Sequence, residues 1–495
     1  MIFSSYPYLI FLALTVSIFI FLEARLPGLR RTFLLLISLV FYAWWRVDFL
    51  ALLLTSTFVN YAIGTMLTRR FRDGRTVHWL LILGLVFNLG LIAWFKYAGL
   101  FAQTANTLFA ADLPIPSLFL PLAISFFTFE QISYLVDAAA GKAPHYSLLD
   151  YSLFVAFFPH LIAGPIIRHN DLIPQFGTRR DSNTRADDIA VGATLFTIGL
   201  AKKTLIADNI APFSDAVFAA ANHGAAIGTA DAWMGTLFFA FQIYFDFSAY
   251  SDMALGSACM FGLRLPINFN SPYKATSIIE FWRLWHISLS TFLRDYLYIP
   301  LGGNRHGSVR RYANLLITML LGGLWHGANW TFVLWGGLHG VYLIVNHAWR
   351  HVTRRAGLNV PKRFRPLTRA LSVAVTFLAT LFAWTVFRSQ SFDSALAMMA
   401  GLAGAGGDSH ILSFGPLAWA GFVAMFAIVW GAPNSMEITW RLRPALESYY
   451  RDAGVRDIGR WAWIPGTRSA IAFGLLFVVS VMALSNLSPF IYFQF

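Results

Sequence analysis

The chain has 495 residues, 57% of them hydrophobic and 12% charged, with a mean hydropathy of +0.59; no long stretch has soluble character, so this composition excludes a string of soluble domains and describes a polytopic membrane protein. The net charge of +13 lies in short connections between apolar runs rather than along one polar face, so membrane topology accounts for it without nucleic acid. A single cysteine, Cys259, excludes an intramolecular disulfide and argues against a cysteine-based metal site.

The first apolar run, residues 8–22, has no basic residue before it and no small-residue cleavage site after it. It is expected to be a retained span. Further runs follow at 33–45, 49–67, 79–95, 118–139, 151–167, 189–205, 233–247, 315–345, 371–387, 417–430 and 470–484. Several fall short of the roughly 20 residues a spanning helix needs, so some are expected to be re-entrant or shielded by neighbours. Four basic connections separate the runs: Arg25, Arg30 and Arg31; Arg69, Arg70, Arg72 and Arg75; residues 350–369; and residues 441–468. The positive-inside rule places them in the cytoplasm and both termini outside.

Ionisable residues inside the runs come next. Glu130, Asp137, Asp246 and Asp252 sit in apolar surroundings, where each singly is better explained by a hydrogen-bond or ion-pair network than by a proton pathway. His160 and Arg168 flank Gly164-Pro165, which predicts a broken helix and a cavity wall. Residues 264–311 differ from everything around them, combining seven Arg and Lys residues with Trp282, Trp285, Tyr296 and Tyr298. That mixture predicts interfacial helices and loops on the cytoplasmic side, where lipid headgroup anchoring explains the basic residues as well as substrate binding does. The Gly302-Gly303 turn lacks a Walker or dinucleotide fingerprint around it, and no fixed-period repeat is present.

Three histidines carry the chemical argument. His326 lies in Gly322-Gly323-Leu324-Trp325-His326-Gly327, where the glycines permit close approach and an imidazole can accept a proton near neutral pH. A core histidine bonded to a neighbouring carbonyl explains the residue equally well. His286 follows Arg283 by three residues and precedes Ser290 by four, a spacing that puts all three on one helix face; a solvated interfacial histidine is the alternative. His339 ranks below both, because one unbroken helix would not turn it to the face of His326.

These segments resemble the membrane-bound O-acyltransferase family, most closely a bacterial branch associated with O-acetylation of exported polysaccharide such as alginate. The resemblance rests on residues 241–248 (FQIYFDFS), 268–273 (NFNSPY), 280–286 (EFWRLWH), 292–303 (FLRDYLYIPLGG) and 321–327 (LGGLWHG), within 120–345. It implies an all-α, polytopic fold, a single domain over 1–495, with a ring of tilted helices around a central tunnel and interfacial and re-entrant helices. It also implies that His326 is the catalytic residue and His286 the second active-site residue, a position held by asparagine in many eukaryotic relatives. Trp325, Asp295, Asp246, Asn268 and Trp285 lie in the same motifs and are expected to support the site or its tunnel. No metal and no permanently bound cofactor are implied.

Acetyl-coenzyme A is the donor that the resemblance implies, and Arg283, Arg294 and the pair Arg310 and Arg311 are candidates for its phosphates. Because no outer segment is large enough for a carbohydrate-binding domain, an extracytoplasmic, SGNH-like acetyltransferase partner is implied, acting on exported polysaccharide beyond a bacterial inner membrane. Two alternatives stay open: D-alanyl transfer from a carrier protein to teichoic acid, and a non-enzymatic channel or transporter using the same buried polar groups.

Overall fold

A computed structural model describes residues 1–116, 118–178, 180–357, 360–486 and 490–491. Among them the regular structure is helical, and extended pairing is confined to two isolated bridges, Leu265 with Ala445 and Phe269 with Trp285. Five helical stretches are long and apolar enough to cross a bilayer: Tyr6–Arg25, Val47–Arg72, His78–Phe109, Ser182–Asn222 and Lys362–Arg388.

Helix α1 (Tyr6–Arg25) starts where the Ser5 hydroxyl accepts the Tyr8 amide and ends on Arg25, whose charge suits a helix C-terminus. Helices α2 (Arg30–Ala43) and α3 (Val47–Arg72) follow and pack against each other. Helix α4 (His78–Ile92) then runs through a π-helical turn, Ala93–Tyr97, into α5 (Ala98–Phe109), and α6 (Ile124–Ala139) returns.

The run at 151–167 does not form a span. Helix α7 (Leu148–Ala156) stops at Phe157, α8 (Phe158–Leu161) is one turn, and α9 (His169–Leu172) follows a non-helical stretch containing Gly164-Pro165. Both ends of this excursion are anchored by the adjacent arginines that open α2. Arg31 Nη1 donates to Asp150 at 2.9 Å, while Arg30 Nη2 donates to the carbonyls of Phe176 at 2.7 Å and Thr178 at 2.8 Å. The segment is therefore re-entrant, and its irregular backbone survives because residues 153–163 are buried in protein.

Helix α10 (Ser182–Ala201) continues through a second π-helical turn, Lys202–Ala207, into α11 (Asp208–Asn222). Helix α12 (Thr229–Met260) is buried at every position from Phe238 to Met260, as an all-round apolar helix at the centre of a bundle should be. Two of its carboxylates meet the π turn: Lys203 Nζ lies 2.8 Å from both Asp246 and Asp208, and Lys202 Nζ lies 2.7 Å from Asp252. The structural ion-pair reading holds for both.

Residues 261–306 are a cluster of short elements, including α13 (Ile278–Leu284), α14 (Ile287–Leu293) and a third π-helical turn, Arg294–Tyr298. The expected common face of Arg283, His286 and Ser290 does not exist. Helix α13 ends at Leu284, and His286 adopts a left-handed backbone, φ +43°, before α14 begins.

The run at 315–345 is a hairpin of α15 (Gly307–His326) and α16 (Trp330–Arg355). Asn329 Nδ2 donates to the Gln390 carbonyl at 2.7 Å, so the turn is level with the C-terminal end of the next span. Gly323 and Gly336 let the two backbones touch: a Cβ on Gly336 would lie 2.2 Å from the Met319 carbonyl oxygen, and one on Gly323 2.2 Å from that of Phe332. Gly336→Val should accordingly cost about 1–3 kcal/mol of stability, seen as a lower melting temperature in detergent; an unchanged melt would show that the hairpin can separate without penalty.

Helices α17 (Arg365–Arg388), α18 (Phe392–Leu402), α19 (Pro416–Gly431), α20 (Ser435–Ile438), α21 (Glu447–Ala453) and α22 (Thr467–Met482) complete the chain. The charge distribution puts the end of α17 outside. Ser389 there is only 3% exposed, whereas Gln390 is exposed. Gln390→Cys in a Cys259→Ala background should react with an impermeant thiol reagent added to intact cells. Labelling only after the inner face is opened would reverse the orientation.

Candidate active site

His286 is placed by a short extended segment. The Asn270 amide donates to the Leu284 carbonyl at 3.1 Å and the Ile287 amide to the Asn268 carbonyl at 3.0 Å, clamping the chain on both sides of His286. Asn268 also uses its side chain. Its Oδ1 accepts the Ser288 hydroxyl at 2.6 Å and amide at 3.3 Å, and its Nδ2 donates to Ser251 on α12 at 3.2 Å. Asn268 thus does for α14 what an N-cap residue would do, which His286 in its left-handed conformation does not.

His326 is the last helical residue of α15, and Gly327 continues extended. Its ring stands edge-on to Trp325 at 5.0 Å, to Trp335 at 5.0 Å and to Phe387 at 5.4 Å. His286 meets the same Trp325 indole at 6.0 Å and the Phe247 ring at 4.7 Å. One tryptophan therefore contacts both histidines, which lie forty positions apart in sequence. Trp325 is itself held by Phe129 at 5.6 Å and Phe126 at 5.3 Å, both from α6.

The end of α15 is capped from a distance. Lys96 Nζ donates to the Trp325 carbonyl at 2.6 Å and Tyr97 Oη to the Leu324 carbonyl at 2.8 Å. Both donors come from the π-helical turn after α4, and a cation at a helix C-terminus is favourable. Sequence reasoning passed over Lys96, because a lone lysine at the end of an apolar run looks like an interfacial anchor.

His326, Trp325 and Lys96 line a cavity of about 450 Å³ whose remaining wall is the 118–126 segment with Trp45, Ile162 and Ala163. The 118–123 segment joins α5 to α6, and Trp45 joins α2 to α3, both connections that the charge pattern assigns to the outer side. Ile162 and Ala163 confirm residues around Gly164-Pro165 as a cavity wall.

His339 joins this neighbourhood by the hairpin rather than by a shared helix face. Trp335 contacts His326 at 5.0 Å and His339 at 4.9 Å, and Trp282 Nε1 donates to His339 Nδ1 at 3.2 Å. Trp285 lies in the wall behind, 4.9 Å from Trp384 and 5.0 Å from Phe269.

The other expected residues sit elsewhere. Asp246 is taken up by Lys203 and by the Ile491 amide at 2.8 Å, and its neighbour Phe247 is the one that faces His286. Asp295 pairs with Arg168 and with Arg294 Nε at 2.6 Å, bolting the third π turn to the end of the re-entrant segment. Tyr296 extends that bolt by donating to Asp137 at 2.7 Å, which also holds His169. Arg283 and Arg310 are exposed, and Arg311 Nη2 lies 2.9 Å from His347 Nδ1.

A multi-pass helical bundle, with two imidazoles gathered around one indole beside a cavity, is a polytopic membrane protein with an internal polar site. Residues 39–387 match the membrane-bound O-acyltransferase family, and the chain belongs to that family. It is an O-acyltransferase. It is 40% identical to a probable alginate O-acetylase of Azotobacter vinelandii over 100% of both chains. It is 42% identical to a peptidoglycan O-acetyltransferase of Helicobacter pylori, covering 78% of this chain and 76% of the other. A teichoic acid D-alanyltransferase of Streptococcus thermophilus is 25% identical over 54% of this chain and 68% of its own.

Proposed function

We propose that the protein transfers acetyl groups from a cytoplasmic thioester, acetyl-coenzyme A, to an acceptor on the outer side of a bacterial inner membrane, for O-acetylation of an exported polysaccharide such as alginate. The observation that carries this reading is the pair His286 and His326, each in contact with Trp325, with His326 at the wall of the cavity. His326 removes the acceptor's hydroxyl proton, the oxygen attacks the acetyl carbon, and the thiolate departs with that proton. His286, fixed by Asn268, orients the reacting groups. Arg283 and Arg310, exposed on the basic face, are available to the donor's phosphates, while Arg294 keeps a carboxylate partner in Asp295.

Full-length similarity to the alginate O-acetylase supports polysaccharide acetylation over the D-alanyl alternative, whose relative matches about half of this chain. The final acetylation falls to an extracytoplasmic, SGNH-like partner. The test is a donor comparison with purified protein: acetyl-coenzyme A against a carrier protein loaded with D-alanine. Acetyl transfer from the first supports the proposal, and turnover of the second alone overturns it.

A further inference from the structure

Lysines that enter the bundle are matched to acids at the second π turn, whereas Lys274, which donates to the Ala432 carbonyl at 2.8 Å, and Lys96 are not. Lys202 pairs with Asp252, and Lys203 pairs with Asp208 and Asp246. Lys96 pairs with none among the described residues. Its ammonium donates to the Trp325 carbonyl at 2.6 Å, lies 3.5 Å from the Ser125 hydroxyl, and sits 6.0 Å from the centre of the Trp325 ring. A helix C-terminus carries about half a negative charge, so capping α15 offsets about half of this cation. Among the described residues, no acidic one lines the cavity that Lys96 shares with His326. A cation with one N–H beyond these two contacts thus faces the same space as His326, fixed one residue away by the bond to Trp325.

We propose that Lys96 is a catalytic residue of the acyl transfer, donating a hydrogen bond to the thioester carbonyl oxygen as that oxygen becomes negative. The inference rests on the thioester reaction proposed above. As His326 takes the acceptor's proton, the acceptor oxygen bonds to the acyl carbon and the carbonyl π pair moves onto oxygen. Collapse of that oxyanion restores the carbonyl and breaks the C–S bond, and His326 returns the proton to the leaving thiolate. Lys96 keeps its own proton throughout. Its contribution is a fixed positive charge where negative charge develops, in a site whose apolar walls strengthen the interaction. Ser125 is placed to orient the ammonium and not to replace it.

Lys96→Gln keeps a hydrogen-bond donor for the Trp325 carbonyl and removes the charge; Lys96→Arg keeps both. In purified, folded protein, Lys96→Gln should lower kcat by about 10²-fold with donor KM within a few-fold of wild type, and Lys96→Arg should recover part of the loss. Two inhibitors separate catalysis from capping. A thioether analogue of the donor should bind wild type and Lys96→Gln equally, while a trifluoromethyl ketone analogue, whose hydrate is tetrahedral and ionises, should bind Lys96→Gln about 10²-fold more weakly. Wild-type kcat in Lys96→Gln overturns the proposal, and so does a parallel loss of both inhibitors, which would leave Lys96 a cap on α15. A wild type that does not turn over acetyl-coenzyme A indicts the reaction assignment instead.

Discussion

His326→Ala should lower acetyl transfer by about 10²–10⁴-fold, the usual contribution of a general base, while the protein still inserts and keeps its melting temperature within a few degrees. The imidazole sits at the end of α15, against Trp325, Trp335 and Phe387, and its removal deletes no span and no helix cap, since Lys96 and Tyr97 hold the preceding carbonyls. His326→Gln tests the same point with less cavity. Wild-type turnover in either folded variant would remove His326 from the reaction. His286→Ala should be less severe, about 10–10²-fold, because a misplaced rather than missing base retains some rate. Asn268→Ala should resemble it, since it frees the amide and hydroxyl of Ser288 and with them the approach of α14. Full activity of His286→Ala would reduce that residue to packing against Phe247.

The motifs made the candidate histidines visible because local spacing suffices for them: glycine and tryptophan around His326, and tryptophan and arginine around His286. Membrane character, the basic connections and the break at Gly164-Pro165 were legible for the same reason, as each is a property of adjacent residues. The geometry was not. Arg283, His286 and Ser290 have helical spacing, yet Trp285 pairs with Phe269 as a bridge and the helix is interrupted there. His339 fails to share a helix face with His326 but lies one turn from Trp335 on α16, and Trp335 reaches His326 across the antiparallel hairpin, a contact that depends on Gly323 and Gly336. Lys96 lies 229 residues from the carbonyl it holds. Asp246, inside a family motif, serves Lys203 instead of a histidine, because successive residues of α12 point in different directions and Phe247 takes that place.

The acetyl group should cross the membrane through this protein instead of being used on the donor's side. Two observations set the faces apart. Arg283 on α13, Arg294 in the third π turn, Arg310 at the start of α15 and Arg350 near the end of α16 carry the basic side, and Arg350 donates to the Ser277 hydroxyl beside α13 at 3.0 Å. The cavity at His326 is walled by the 118–123 segment and Trp45, which the same charge pattern puts on the opposite side. A thioester entering from the basic face and a hydroxyl entering through the cavity would meet at His326 from opposite directions. In proteoliposomes given acetyl-coenzyme A on the cytoplasmic side alone, the outer partner or its acceptor should become acetylated in the other compartment. His326→Ala proteoliposomes should not do this, and neither should wild type with donor only on the outer side. Acetylation that demands donor and acceptor in one compartment would disprove the relay while leaving the acyltransferase chemistry intact.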